Sequence, residues 1–148
     1  MLESEKFLGR GWAFPPRFIR NDLGSGVVEL VEAREDIEQS LRILLSTSLG
    51  ERIMQPTYGC NLIDYQFEPM NASLVGFIRD MVSNAILYYE PRIKVERVEV
   101  NQPIGQDAFE GRLIIEVDYS IRTTNSRFNF VFDFYINEAS GNTNLGLI

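Results

Sequence analysis

The sequence predicts an α+β domain in which two amphipathic helices pack on one face of a mainly antiparallel sheet. Two observations carry this. Apolar residues recur at helical spacing over Ala33–Leu49 and Ala72–Tyr89, and from Ile93 onward the period switches to two. A third observation bounds the answer: 148 residues, 45% apolar and 24% charged, suffice to bury a core in one domain without disulfides or metals. The expected organisation is an extended N-terminal arm over residues 1–20, a single α+β domain over 21–137 and a flexible, small and polar tail over 138–148.

Each element has its own warrant. Phe7–Phe18 combines aromatic anchors with two glycines and the pair Pro15-Pro16, so it cannot be helical. Trp12 and Phe14 carry enough apolar area to lock such a strap onto a surface, either of its own domain or of a neighbour. After a turn at Asn21–Gly26, Val27–Val31 reads as one short edge strand. Ile37, Leu41, Leu44 and Leu45 then line a helix running to Leu49 and stopped by Gly50, with Glu35, Asp36 and Glu38 in the first turns, where the helix dipole favours acid. Glu51–Leu62, punctuated by Pro56 and Gly59, reads as a structured loop. The second helix buries a broad stripe from Leu74 through Phe77, Ile78, Met81, Val82, Ala85 and Ile86 to Tyr89.

The strands follow. Ile93 and Val95 alternate with Lys94 and Glu96, but the apolar phase slips to Val98 and Val100, which predicts a bulge near Arg97. A polar loop over Asn101–Asp107 leads to a strand with Leu113, Ile115, Val117, Tyr119 and Ile121 on one face. After Thr123–Ser126 the last strand sets Phe128, Phe130, Phe132, Phe134 and Ile136 in one row.

Composition excludes several function classes. Fourteen Lys and Arg against twenty-one Asp and Glu give a net charge of -7, which repels a phosphate backbone, so nucleic acid is not an expected partner. The sequence has no His and one cysteine, Cys60. The commonest general base, the usual zinc ligand and any intramolecular disulfide are therefore missing, and Cys60 reads as a small apolar filler. No metal or cofactor is expected: Gly9-Arg10-Gly11 lacks the setting of a dinucleotide fingerprint, and Asp64 with Glu68 supplies only two loop carboxylates. Glu51, Asp64, Glu68 and Glu90 can be nominated for a sugar-cleaving pair, but none lies in a recognisable catalytic setting, and no catalytic residue is assigned. Met1–Lys6 lacks the basic start and apolar run of a secretory signal, and no stretch is apolar for long enough to span a membrane; assembly in a cytoplasm is expected.

The most informative segment is Tyr88-Tyr89-Glu90-Pro91-Arg92-Ile93. Pro91 pushes Glu90 out of helical geometry, so the helix must stop at Tyr89 with a carboxylate beside its unpaired carbonyls. The dipole disfavours that by up to roughly 1 kcal/mol. Arg92 offers a planar fork that can pair with Glu90 or with a carboxylate on another chain. Its presence favours the ionised carboxylate, the opposite of what a general acid needs. Spacing alone is also met by a plain helix stop with a surface ion pair, contributing about 0–1 kcal/mol.

The ordered set Phe7–Pro16, Asp36-Ile37, Leu44–Thr47, Gly50-Glu51-Arg52, Gly59 and Glu90-Pro91-Arg92-Ile93 resembles the lysozyme-like baseplate wedge family of contractile tails, over about Phe7 to Ile136. That family serves contractile phages, type VI secretion systems and extracellular injection particles. The resemblance implies a structural part and no enzyme. It implies that Glu90, Pro91 and Arg92 hold the core bundle of larger wedge proteins, and that the sheet is similar to a sheath subunit's handshake domain. The first ring of sheath subunits would then add strands at the sheet carrying Phe128, Phe130, Phe132 and Phe134. The strap residues Arg10, Trp12, Phe14, Pro15 and Pro16 are the implied second contact, with the inner tube or spike hub as a further one. Such a protein would assemble in the bacterial cytoplasm and end in the baseplate of a tail or particle. A peptidoglycan-cleaving tail enzyme and a tail or head completion protein are the alternatives.

Overall fold

The computed structural model describes residues 8–65, 68–102 and 112–135. Its chain order is β1 (Arg10–Trp12), β2 (Phe18–Arg20), β3 (Gly26–Val28), β4 (Leu30–Glu32), α1 (Ala33–Ser46), a short 3-10 turn (Leu62–Tyr65), α2 (Ala72–Tyr89), β5 (Ile93–Asn101), β6 (Arg112–Ile121) and β7 (Arg127–Tyr135). The predicted α+β class holds: β5, β6 and β7 form an antiparallel meander, with α2 packed on β5, and α1 on α2 and β7.

The core is the predicted one in outline. Ile37, Leu41, Leu44 and Leu45 of α1 meet Ile78, Val82 and Ile86 of α2 and the inner row Leu113, Ile115, Val117, Tyr119 and Ile121 of β6. The β5–β6 register shifts between Val95 and Arg97, where the slipped apolar phase predicted a bulge. The outer face of the sheet carries charge instead, with Arg97 pairing with both Glu99 and Asp118, and Asn129 donating to Asp118. Pairs this exposed are screened by solvent, contribute little to stability and mainly keep that face wet.

Four expectations need correction. α1 ends at Ser46 and does not reach Leu49, because Thr47 leaves the helix, donates its hydroxyl to the Ile43 carbonyl at 2.6 Å and lends its own carbonyl to Cys60 N–H at 2.8 Å. The run Val27–Val31 is two strands, β3 and β4, broken at Glu29, whose N–H and carbonyl bond to Arg17 and Ala13 across the bulky Phe14–Pro16 stretch. Phe77 leaves the buried stripe: it is 51% exposed and leans on the Tyr65 ring, with centroids 5.1 Å apart. Asn101 belongs to β5, paired with Ile114; the rest of the expected 101–107 loop from Pro103 on, Ile136 and the 138–148 tail lie outside the described residues.

β1 pairs with β4 and β2 with β3, so residues 10–32 form one irregular hairpin whose turn is closed by Asn21, its side-chain oxygen accepting from Leu23 and Ser25 N–H. The loop after α1 is equally well tied. Leu49 N–H donates to the Asn61 side chain, Gly50 N–H to the Pro56 carbonyl, and the Tyr89 hydroxyl to Thr57. Gly59 sits at φ 135°, with no room for a Cβ against the Thr47 carbonyl. Gly59→Ala should therefore destabilise the fold by more than about 1 kcal/mol in urea unfolding, while Gly26→Ala, with open space around it, should change little.

Candidate functional site: the Glu-Pro-Arg corner and its strap

α2 starts on Asn71, whose side chain accepts from Leu74 N–H, and stops at Tyr89 as Pro91 requires. Glu90 caps the helix at φ -130° and ψ 70°, its N–H still reaching the Ile86 carbonyl at 2.9 Å. This turns the Glu90 side chain inward, and only 2% of the residue is exposed.

Arg92 meets it with the whole fork. Nε donates to Glu90 Oε1 at 2.6 Å and Nη2 to Oε2 at 2.7 Å, while Nη1 donates to Asp36 Oδ2 and to the Leu8 carbonyl at 2.9 Å. The pairing is thus no surface ion pair, and the alternative of a helix stop with an exposed bridge is overturned by the burial of Glu90. The hydrogen bonds to Glu90, more than any other influence, raise the Arg92 pKa against the desolvation that burial imposes. The cation also sits at the C-terminal end of α2 and Asp36 in the first turn of α1, each at the helix pole that favours it.

The strap crosses directly over this cluster. A Cβ on Gly11 would stand 2.5 Å from Asp36 Oδ1, so a side chain there would have to push aside the carboxylate that Arg92 holds. One turn of α1 further on, Gln39 grips the strap with both ends of its amide: Nε2 donates to the Trp12 carbonyl at 2.8 Å and Oε1 accepts Phe14 N–H at 2.9 Å. The backbone is pinned while the side chains face solvent, Trp12 62% and Phe14 59% exposed, with Arg10, Pro15 and Pro16 exposed beside them.

The sequence-predicted residues thus divide. Glu90 and Arg92 come together with Leu8 and Asp36, Pro91 is exposed beside them, and the strap residues lie on the same side of the fold through Gly11 and Gln39. Phe128, Phe130, Phe132 and Phe134 face the helices, with Phe130 buried and the other three packed against the core, so an added strand would meet β7 through its main chain and not through these rings. Among the nominated carboxylates, Glu51 accepts from Ser48 N–H and Asp64 from the Asn61 amide, both within the α1–α2 connection. Sequence reasoning assigned Asp36 to the helix dipole and did not single out Gln39. Nothing in local spacing points to partners 56 and 84 residues away along the chain, as Asp36 and Leu8 are from Arg92. Among the described residues no group of three or more His, Cys, Asp or Glu side chains could hold a metal ion, and no helix is long and apolar enough to cross a membrane.

Arg92→Ala strands a buried carboxylate and should lower stability by about 3–5 kcal/mol in urea unfolding, with Arg92→Lys, which keeps the charge but loses the fork, falling between it and the parent. Cys60 supplies a pH test. Burial pushes its thiol from 9.0 to about 12, so between these values the unfolded chain has lost a proton that the folded chain keeps. Stability from the neutral thiol is complete below about pH 9 and is lost as pH rises toward 12; Cys60→Ala should flatten that part of the alkaline decline.

Comparison with known proteins gives this geometry a setting. The chain is 33% identical over 86 residues to the baseplate wedge protein gp25 of Enterobacteria phage T4, a match spanning 57% of this chain and 61% of that protein, less than two thirds of its length. A protein from Geobacter sulfurreducens, described as a tail lysozyme, has a similar crystal structure with a TM-score of 0.67 and 40% identity, covering 77% of this chain and 100% of that one. A chain of the anti-feeding prophage baseplate gives 0.63 and 28% identity over 93% of this chain and 94% of its own. A chain of the type VI secretion baseplate complex, at 20% identity and a TM-score of 0.51 over 66% of this chain and 88% of its own, shares the fold. Residues 31–126 match the family model of baseplate wedge protein gp25, and the chain therefore belongs to that family of baseplate wedge proteins.

Proposed function

We propose that this chain is a structural adaptor of the baseplate of a contractile phage tail or injection particle. It clamps the core bundle of larger wedge proteins at the Glu90–Pro91–Arg92 corner and the strap, and it starts the sheath by accepting strands from the first ring of sheath subunits on the β5–β7 sheet. Contact with the inner tube or spike hub belongs to the same arrangement. Assembly takes place in the bacterial cytoplasm, before the protein takes its place in the baseplate. The observation that carries this reading is the corner's construction. Arg92 spends Nε, Nη1 and Nη2 on this chain's own acceptors, so the ionic pair acts as a frame that holds Pro91, Trp12 and Phe14 outward. Exposed aromatics on a backbone that is already ordered lose little entropy on docking. The 28% identity to an anti-feeding prophage baseplate chain over nearly the full length supports the same setting.

The description of the Geobacter relative as a tail lysozyme raises an enzyme reading. The corner argues against it: a general acid must reach a glycosidic oxygen, and Glu90 is buried with both oxygens held by Arg92. The folded protein should leave peptidoglycan intact in a turbidity assay. Cleavage that disappears in Glu90→Gln would overturn the structural reading.

Substitution at the corner confounds folding with docking, because Arg92 holds the fold. The strap separates them. Trp12→Ala with Phe14→Ala should leave the urea transition near its parent midpoint, yet weaken incorporation into baseplates by more than about 30-fold, as loss of one aromatic anchor worth about 2 kcal/mol implies. Parent-level incorporation of that double variant would sink the assignment of the strap.

A further inference from the structure

The strap leaves the hairpin ladder at the residues that carry its exposed rings. Ala13 N–H donates to the Glu29 carbonyl, and Glu29 N–H donates back to the Arg17 carbonyl, so Phe14, Pro15 and Pro16 are looped out between two bonds to a single residue. The prolines have no N–H to give and cannot tie the loop down themselves. Pairing of Gly11 with Val31, and of Ala13 with Glu29, turns the main-chain groups of those residues toward the far side of the hairpin. The Trp12 carbonyl and the Phe14 N–H are thereby left on the opposite edge. These are the two groups that the Gln39 amide takes up, at 2.8 Å and 2.9 Å.

Gln39 stands one turn after Asp36 on the same face of α1, so the strap is held at successive points along one helix. The two holds differ in kind. Asp36 belongs to the buried ionic cluster on which the fold depends, whereas both Gln39 bonds lie at the surface, where water can take the place of a lost partner at little cost to global stability. What Gln39 sets is direction. By fixing the backbone on either side of Ala13 it determines where the Trp12 and Phe14 rings point, and by occupying the outer edge at residues 12–14 it leaves recognition there to the rings. Rings recognise a surface tightly only when their bearing is fixed beforehand.

We propose that Gln39 is a positioning residue for docking: its amide pre-orders residues 12–14, so that Trp12 and Phe14 meet an apolar surface of the wedge partner as fixed anchors, and it acts on the partner only through those rings. This role rests on the baseplate reading of the strap.

Trp12 is the one tryptophan of the chain, so its fluorescence reports the order of the strap without a label. Gln39→Met keeps the length and helix preference of the side chain but removes the N–H donor and the strong acceptor, and it should leave the urea midpoint near that of the parent. In the purified variant the tryptophan anisotropy should fall, and the Phe14 N–H should exchange with deuterium about tenfold faster. In competition with the parent chain for assembling baseplates, Gln39→Met should be incorporated about tenfold less, the loss expected when the backbone of roughly one residue must be ordered at docking. Added to Trp12→Ala with Phe14→Ala, it should cost nothing further, because the rings through which it acts are gone. An equal tenfold loss in that background gives Gln39 a contact or a structural role of its own and overturns the proposal. So do unchanged anisotropy and exchange, or parent-level incorporation of a variant whose Trp12 has been loosened. Failure of the baseplate reading looks different: the unsubstituted chain is then absent from particles although Gln39→Met still loosens Trp12 in solution, and the docking role falls with that reading.

Discussion

A single guanidinium ties four separate segments of this molecule to one point. Glu90 is carried into the interior by a helix stop that Pro91 dictates, and a carboxylate buried there without a partner would cost several kcal/mol. Taken alone, its pairing with Arg92 is local, spanning two residues. The remaining nitrogen, Nη1, makes it tertiary, reaching the first turn of α1 through Asp36 and the start of the strap through Leu8. The end of α2, the beginning of β5, the beginning of α1 and the N-terminal segment are thereby fixed to one point. A Lys, with its point charge, could satisfy one of these acceptors well; a planar fork satisfies all of them at once.

Around that point the fold separates its tasks by surface. The inner sheet face and the two helices are apolar and closely packed, and the stability resides there. The outer sheet face is laced with exposed ion pairs, which contribute little energy but keep the sheet from burying that side. The hairpin and the loop after α1 do the reverse, placing Trp12, Phe14, Phe18, Ile53 and Met54 in solvent on backbones that hydrogen bonds already hold. The result is a set of rigid, exposed apolar features mounted on a closely packed core.

Much of this was legible in the residues. Helix α2 was readable to the residue at both ends, its start from the apolar spacing and its stop from Pro91; the β5 bulge showed as a slip in apolar phase, and the β6 row as clean alternation. Boundaries set by nonlocal contacts were not. α1 shows apolar spacing past Ser46, yet Thr47 is drawn out by Cys60, and no local propensity encodes that. The corner was legible as a motif and misread as an environment: spacing put Glu90 and Arg92 within reach of each other but left their burial open, since burial depends on a strap passing more than 80 residues upstream. The partner in α1 was hidden for another reason. An acid in a first turn already has an adequate explanation in the helix dipole, and although Asp36-Ile37 belonged to the set that carried the family resemblance, nothing in its spacing named Arg92 as its partner.

The amide of Gln39 imitates a peptide unit, offering one donor and one acceptor to the strap as a neighbouring strand would. Glutamate has nearly the same shape but no hydrogen to give, so hydrolytic deamidation at this position would set a charged oxygen against the Trp12 carbonyl while leaving the bond from Phe14 intact. Chemical ageing of one solvent-accessible side chain would thus unfasten half of the clasp and loosen the tryptophan's bearing, with the hydrophobic interior undisturbed.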